Sequence, residues 1–333
     1  MKVLAGDIGG TKTLLQIAEV EGNEIAVLHR ARFSSQAYAT FESLLGDYLE
    51  QAPAALSKDI ASACFGIAGP IHSPEQGPCT AKVTNLPWHL DEAQLRGRLA
   101  VPRVHLINDF YATASGIDAL RDEDLAVLHP GTTLTQGPRL VVGAGTGLGV
   151  AQLLWSEGRY RPFPSEGGHI HFAPTDAEQE ELLDYMKNHF ERVSYERLVS
   201  GTGLSNIYSF LVNRHTGSGD EIRPSLLESP DPAAAITEQA QRGDAMAQRT
   251  VRLFLSIYGA VVGDLALVSL AYGGIYIAGG IAPKLLSEMR DGTFMQAFLH
   301  KGRMAPLVKQ MPIQIILNQD VGLLGATLVP TRN

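Results

Sequence analysis

Hydrophobic and polar positions follow two different periods along this chain. Residues 3–7 are a short apolar run, Gly9 and Gly10 interrupt it, and residues 13–20 form a second strand-like run. The interruption is too short for a crossover helix, so the two runs are expected to pair as an antiparallel hairpin. Over residues 41–51, Phe41, Leu44, Leu45, Tyr48 and Leu49 recur at helical spacing. Residues 60–67 and 104–107 are further strand candidates, and a helical run over 110–120 follows the second. The opening pattern returns at 140–154, where Leu140, Val141 and Val142 lead into glycines at 143, 145, 147 and 149 and then another apolar run. Helical patterns follow at 178–190, 205–212, 232–242 and 244–272. Residues 213–231 are rich in Gly, Ser, Pro and charge and read as a surface loop. This succession predicts layered α/β structure. The two strand–glycine turn–strand units, about 140 residues apart, predict two related lobes facing one another.

Composition narrows the picture. The 333 residues include 27 basic and 35 acidic side chains, a net charge of −8, and 45% are hydrophobic. That length predicts two domains with ample core, and the acidic balance argues against nucleic acid as the main partner. Two cysteines, Cys64 and Cys79, cannot build a disulfide framework or a Cys-rich zinc site. Residues 265–283 carry no charge over 19 positions, near the length of a membrane span. Glycine pairs at 273–274 and 279–280 divide them, so a buried helix ending at 272, a turn and a strand at 275–278 are expected instead. Asp7 stands where a signal peptide would need apolar residues. The expectation is a soluble, reduced, cytoplasmic protein with no membrane partner.

The glycine turns carry the first candidate chemistry. Gly6-Asp7-Ile8-Gly9-Gly10-Thr11-Lys12-Thr13 is not a P-loop, because position 11 is Thr where the second glycine belongs. Gly143-Ala144-Gly145-Thr146-Gly147-Leu148-Gly149 is not a dinucleotide fingerprint, because position 148 is Leu. Both turns can still point successive N–H groups at phosphate, with Thr11 and Thr146 as hydroxyl donors. Asp7 would repel an anion, and it makes sense facing Mg²⁺, directly or through water.

Four further places combine bland and chemical readings. Asn108-Asp109 ends a strand and opens a helix, which suits a helix cap and equally a general base at a strand's carboxyl end. Glu166-Gly167-Gly168-His169 can hydrogen-bond a polyol, and if it continues as a strand His169 and His171 share a face as a metal pair would. Glu196 is expected near a helix N-terminus, where the helix dipole favours it. Thr84-Asn85-Leu86-Pro87-Trp88 is a surface turn or a substrate loop using Asn85.

Together with Ala278-Gly279-Gly280-Ile281 and Gly322-Leu323-Leu324-Gly325, these motifs occur in the order seen in bacterial glucokinases, and the sequence resembles that family over essentially its whole length. The resemblance implies the two-lobed hexokinase/actin-like (ribonuclease H-like) fold with its active site in the inter-lobe cleft. It implies a small domain of residues 1–119 plus 316–333 and a large domain of 120–315. ATP, Mg²⁺ and glucose are implied as ligands, with Asp109 as the base that activates the sugar 6-hydroxyl. Asn108, Glu166, His169 and Glu196, with Asn85, would hold sugar hydroxyls. Gly9, Gly10, Thr11, Gly145, Thr146 and Gly147 would hold phosphates, Gly279 and Gly280 would approach base and ribose, and the family suggests a homodimer. The related ROK kinases and repressors carry a cysteine-rich zinc motif after their E-x-G-H, whereas both cysteines here precede position 80. A kinase for mannose or an N-acetylhexosamine, or a non-catalytic hexose sensor, would share much of this pattern.

Overall fold

The computed structural model describes residues 1–214 and 224–332. Residues 1–122, 160–164 and those from 318 on form one compact unit, and 123–159 with 165–317 form a second. The first unit is built on β1 (Lys2–Ile8), β2 (Lys12–Glu21), β3 (Glu24–Ser34), β4 (Ser62–Ile67) and β5 (Val104–Asn108), in the order β3-β2-β1-β4-β5. As the spacing predicts, β1 and β2 pair antiparallel across the glycine turn. β1, β4 and β5 then run parallel. Alternation decides what each face buries. Leu4, Ile8, Leu15 and Ile17 pack with Phe41, Leu44, Leu45 and Tyr48 of α1 (Phe41–Gln51). Val3, Ala5, Leu14 and Cys64 pack under the C-terminal helix Val321–Leu328. With both faces covered, β4 is buried at all six positions, the pattern of a parallel strand between layers.

The second unit repeats this start. β6 (Leu125–His129), β7 (Arg139–Ala144), β8 (Leu148–Ser156), β9 (Gly274–Ala278) and β10 (Ile313–Ile316) lie in the order β8-β7-β9-β10-β6. β7 and β8 form the second antiparallel hairpin, and β7, β9 and β10 are parallel. Its helices include α2 (Ala177–Lys187), α3 (Gly201–Arg214), α4 (Pro232–Gln241) and α5 (Ala245–Ser269). By length and composition α5 could cross a membrane, but most of it is buried inside the unit. It is capped by Asp244, whose carboxylate accepts from Ala247 N at 2.8 Å, and it stops at Leu270 in the left-handed region, φ +47°.

Several expected boundaries move. The helix expected over 110–120 is α-helical only over Asp109–Gly116 and tightens to a 3₁₀ turn at Ile117–Ala119. In the loop expected over 213–231, residues 213–214 finish α3 and Pro224–Leu226 form a 3₁₀ turn. The intervening 215–223 lie outside the described residues.

Candidate active site

In the first unit, strand register gathers the acids. Asp7 lies opposite Gly66, and Ile8, Ile67 and Asn108 form one row across the parallel strands. These are the strands' carboxyl ends, where α/β sheets bind ligands. Asn108 is the last residue of β5 and caps the helix Asp109–Gly116: its Oδ1 accepts from Phe110 N at 2.8 Å and Tyr111 N at 3.2 Å. Asp109 is the first helical residue, with Oδ1 accepting from Phe110 N at 2.9 Å. Gly66 permits this approach, since a Cβ there would stand 3.0 Å from Ala112 Cβ and 3.9 Å from Asp109 Cα.

Asp7 has its carboxyl pushed up to about 6, first by burial, with the charges of Asp109 and Asp320 adding and Lys12 opposing. The start of the C-terminal helix comes close: a Cβ on Gly322 would be 3.7 Å from Asp7 Cγ. An acid crowded by two others is unsuited to an anion alone and suited to a hard cation. Mg²⁺ takes one or two carboxylates and keeps several waters. Among the described residues no three His, Cys, Asp or Glu side chains are grouped to hold a metal. A cation here would therefore rest on Asp7 with water and ligand oxygens.

The first glycine turn is fixed from beneath. Gly9 N donates to Lys12 O at 3.0 Å, and buried Ser35 donates from Oγ to Gly9 O at 2.7 Å and from its backbone N to Thr11 O at 3.0 Å. With that hydroxyl committed, the 2.9 Å contact between Ser35 Oγ and Thr13 Oγ1 has Thr13 as donor. Thr11 is left exposed at the tip. Gly10 abuts the 84–88 turn, where a Cβ would stand 2.9 Å from Thr84 O and 3.5 Å from Asn85 Cβ. Asn85 holds a left-handed φ of +64°, a conformation Asn tolerates. Nothing in the sequence marks Ser35 or Asp320; serine after a strand looks like any turn.

In the second unit Glu166, His169 and Glu196 come together. His169 Nε2 stands 3.8 Å from Glu166 Oε2, and its Nδ1 stands 3.8 Å from Glu196 Oε1. Both gaps exceed a hydrogen bond, and hydroxyl groups of a ligand can bridge them. Exposure falls from 87% at Glu166 through 50% at His169 to 30% at Glu196, so Glu196 is the most enclosed anchor. The strand alternative for residues 166–169 is ruled out. Residues 167–169 form a 3₁₀ turn rather than a strand, packed so closely that a Cβ on Gly168 would strike the Leu148 carbonyl. The shared strand face that would make His169 and His171 a metal pair is therefore absent, and His171 instead accepts from Arg192 Nε at 3.1 Å. Glu196 is near a helix N-terminus as expected, in the first turn of a short 3₁₀ helix and not of an α-helix. It sits in the 3₁₀ turn Tyr195–Arg197, ahead of α3.

Short pairing holds these turns side by side. Phe172 N donates to Val193 O and Tyr195 N to Ile170 O, both at 3.0 Å, and the Tyr195 ring meets Phe172 edge-on at 5.7 Å. Arg192 Nη2 donates to His169 O at 2.6 Å. Tyr195, Phe172 and Arg192 escape sequence reading because their partners are set by tertiary contact.

The second glycine turn closes with Gly145 N donating to Gly147 O at 2.8 Å, and Gly201 N, opening α3, donates to Gly145 O at 2.8 Å. Beside it is a cavity of about 220 Å³ lined by Gly145, Thr146, Asp231, Thr237, Gly280 and Lys284 among others. Gly279 must be glycine: its φ is +85° and a Cβ would collide with the Ala144 carbonyl. That contact seats the 278–281 turn against the end of β7. Asp231 caps α4 and Thr237 lies midway along it; the helix is legible from Asp-Pro but not as a cavity wall.

Known proteins match this chain throughout. The family model described as Glucokinase matches residues 4–333. A glucokinase of Nostoc punctiforme is 40% identical over 99% of both chains. Among solved structures, the chain is similar to a glucokinase from an Antarctic psychrotroph, with 26% identity, coverage of 100% and 99%, and a TM-score of 0.85. A Balamuthia mandrillaris glucokinase in complex with glucose gives 24% identity, 100% and 94% coverage and 0.80. A ROK family glucokinase from Streptomyces griseus in complex with glucose and AMPPNP gives 19%, full coverage of both and 0.66.

Proposed function

The chain belongs to the glucokinase family and is a hexose kinase, and from that premise we propose in-line transfer of the γ-phosphoryl of ATP to the glucose 6-hydroxyl, with Asp109 as general base. The observation that carries this assignment is the row of strand ends Ile8, Ile67 and Asn108 at the carboxyl end of the first sheet, with Asp7 one residue before Ile8 and Asp109 one residue after Asn108. Asp109 accepts the proton of the 6-hydroxyl as that oxygen attacks phosphorus, and the bond to the leaving ADP oxygen breaks. Phosphoryl transfer asks little covalent chemistry of the protein, so positioning and charge supply most of the rate. Asn108, Glu166, His169 and Glu196, with Asn85, hold the sugar hydroxyls. The Asn108 Oδ1 is committed to its cap, which leaves its amide N–H₂ for sugar.

Gly9, Gly10 and Thr11 in one turn, and Gly145, Thr146 and Gly147 in the other, offer backbone N–H and hydroxyl groups to phosphates. The cavity at Gly280 takes the nucleoside, a reading favoured by the AMPPNP bound to the Streptomyces relative. Mg²⁺, when bound, neutralises phosphate charge in such reactions, and Asp7 is the residue that would hold it through water. The enzyme works in the cytoplasm as a homodimer, outside the zinc-containing ROK branch, since neither cysteine follows the E-x-G-H segment.

A coupled assay of ADP release with MgATP tests the substrate. Turnover with glucose well above mannose, fructose and N-acetylglucosamine is expected. Preference for another sugar would keep the mechanism and overturn the substrate. Sugar binding without turnover would favour a hexose sensor.

A further inference from the structure

One carboxylate touches both ligand regions of the second unit. Glu196 Oε1 faces His169 Nδ1 at 3.8 Å, on the sugar side. Its other oxygen, Oε2, accepts from Leu148 N at 3.0 Å, the first residue after the 145–147 turn. Gly147 makes this possible, since a Cβ there would collide with Oε2. The turn's own closure, Gly145 N to Gly147 O, lies one residue away, so the carboxylate braces the end of the phosphate turn. Glu196 is itself fixed from its backbone, because Ser200 Oγ donates to Glu196 O at 2.7 Å and then accepts from Gly203 N at 3.0 Å.

We infer that Glu196 couples sugar and nucleotide binding by bracing the 145–147 turn at Leu148 N, and that Gly147 is a positioning residue for the sugar-binding carboxylate. This rests on Glu196 being a sugar ligand. Without sugar, the full carboxylate charge stands beside the phosphate turn and opposes an incoming phosphate. Sugar hydroxyls donating to Oε1 draw that charge away while Oε2 keeps the turn ordered. Sugar therefore favours nucleotide, and by linkage nucleotide favours sugar to the same degree.

Gly147→Ala tests this within the intact chain, because the methyl group meets only the end of a flexible side chain, which can move away. Glucose binding is measured by calorimetry with no nucleotide present. Gly147→Ala is expected to weaken it about tenfold, the scale of a lost charge-assisted hydrogen bond. Gly97→Ala in the helix Glu92–Leu99, an exposed position where a Cβ would meet nothing within 4 Å, is expected to leave it within about twofold of wild type. Wild-type affinity in Gly147→Ala would overturn the proposal. Wild-type protein that binds no glucose would instead overturn the sugar-ligand reading beneath it. Should Gly147→Ala not fold, Glu196→Gln gives an independent reading through AMPPNP binding without sugar. Loss of the charge is expected to tighten that binding severalfold, and an unchanged value would overturn the proposal.

Discussion

Asp7 carries its proton into a pH range where exposed aspartates have lost theirs. Burial and the neighbouring acids raise it from 3.8 to about 6. Between those values the folded chain binds more protons at this group than the unfolded chain does, so its contribution to stability falls as pH rises through that window and is lowest above it. Asp7→Asn is therefore expected to raise the Tm of the ligand-free protein at pH 7.5, with the gain shrinking toward pH 4, while activity is lost. An equal gain at both pH values in thermal melts would assign the effect to something other than charge. Ser35 offers a second test. Its hydroxyl bonds both Gly9 O and Thr13 Oγ1, and Ser35→Ala leaves the Gly9 carbonyl without that donor. A loss of ~1–3 kcal/mol in denaturant unfolding is expected, with KM for ATP rising more than KM for glucose. A larger rise for glucose would contradict a role in the phosphate turn. Asp7 was legible because an acid ahead of glycines is out of place in a plain anion turn. Ser35 was not, since its meaning comes from a strand pairing that returns it beneath residue 9.

At the scale of elements, both hairpins were readable from an apolar run, glycines and a second run. The strand-to-helix junction at 108–109 was readable too, and there the cap and the chemistry share one residue pair. Asn108→Ala is expected to lose ~0.5–2 kcal/mol of stability with the cap and to weaken sugar binding as well. Asn108→Asp keeps an acceptor for Phe110 N and Tyr111 N, so stability should stay near wild type while the added charge beside Asp109 raises KM for glucose. Melting curves together with KM values separate the two effects. If Asn108→Asp bound glucose normally, Asn108 would be a cap alone. The 3₁₀ turns at Gly167–His169 and Tyr195–Arg197 were not legible. Each is set by close packing, of Gly168 on the Leu148 carbonyl and of Tyr195 on Phe172, which local periodicity does not encode.

For the whole molecule, composition and alternation gave mixed α/β structure with a repeated start, and each unit contains that start in its own sheet. The sorting of residues 160–164 and of the chain from 318 on into the first unit depends on long-range contact. The motif order pointed to the sugar-kinase chemistry, while the bracing of one turn by another emerged only from geometry. The central claim is that Asp109 takes the proton from the sugar. The most direct measurement is kcat of Asp109→Asn with glucose and MgATP, beside its glucose Kd by calorimetry. A fall in kcat of ~10²–10⁴-fold with Kd within about threefold of wild type is the predicted result, and near-normal turnover in the folded variant would contradict it.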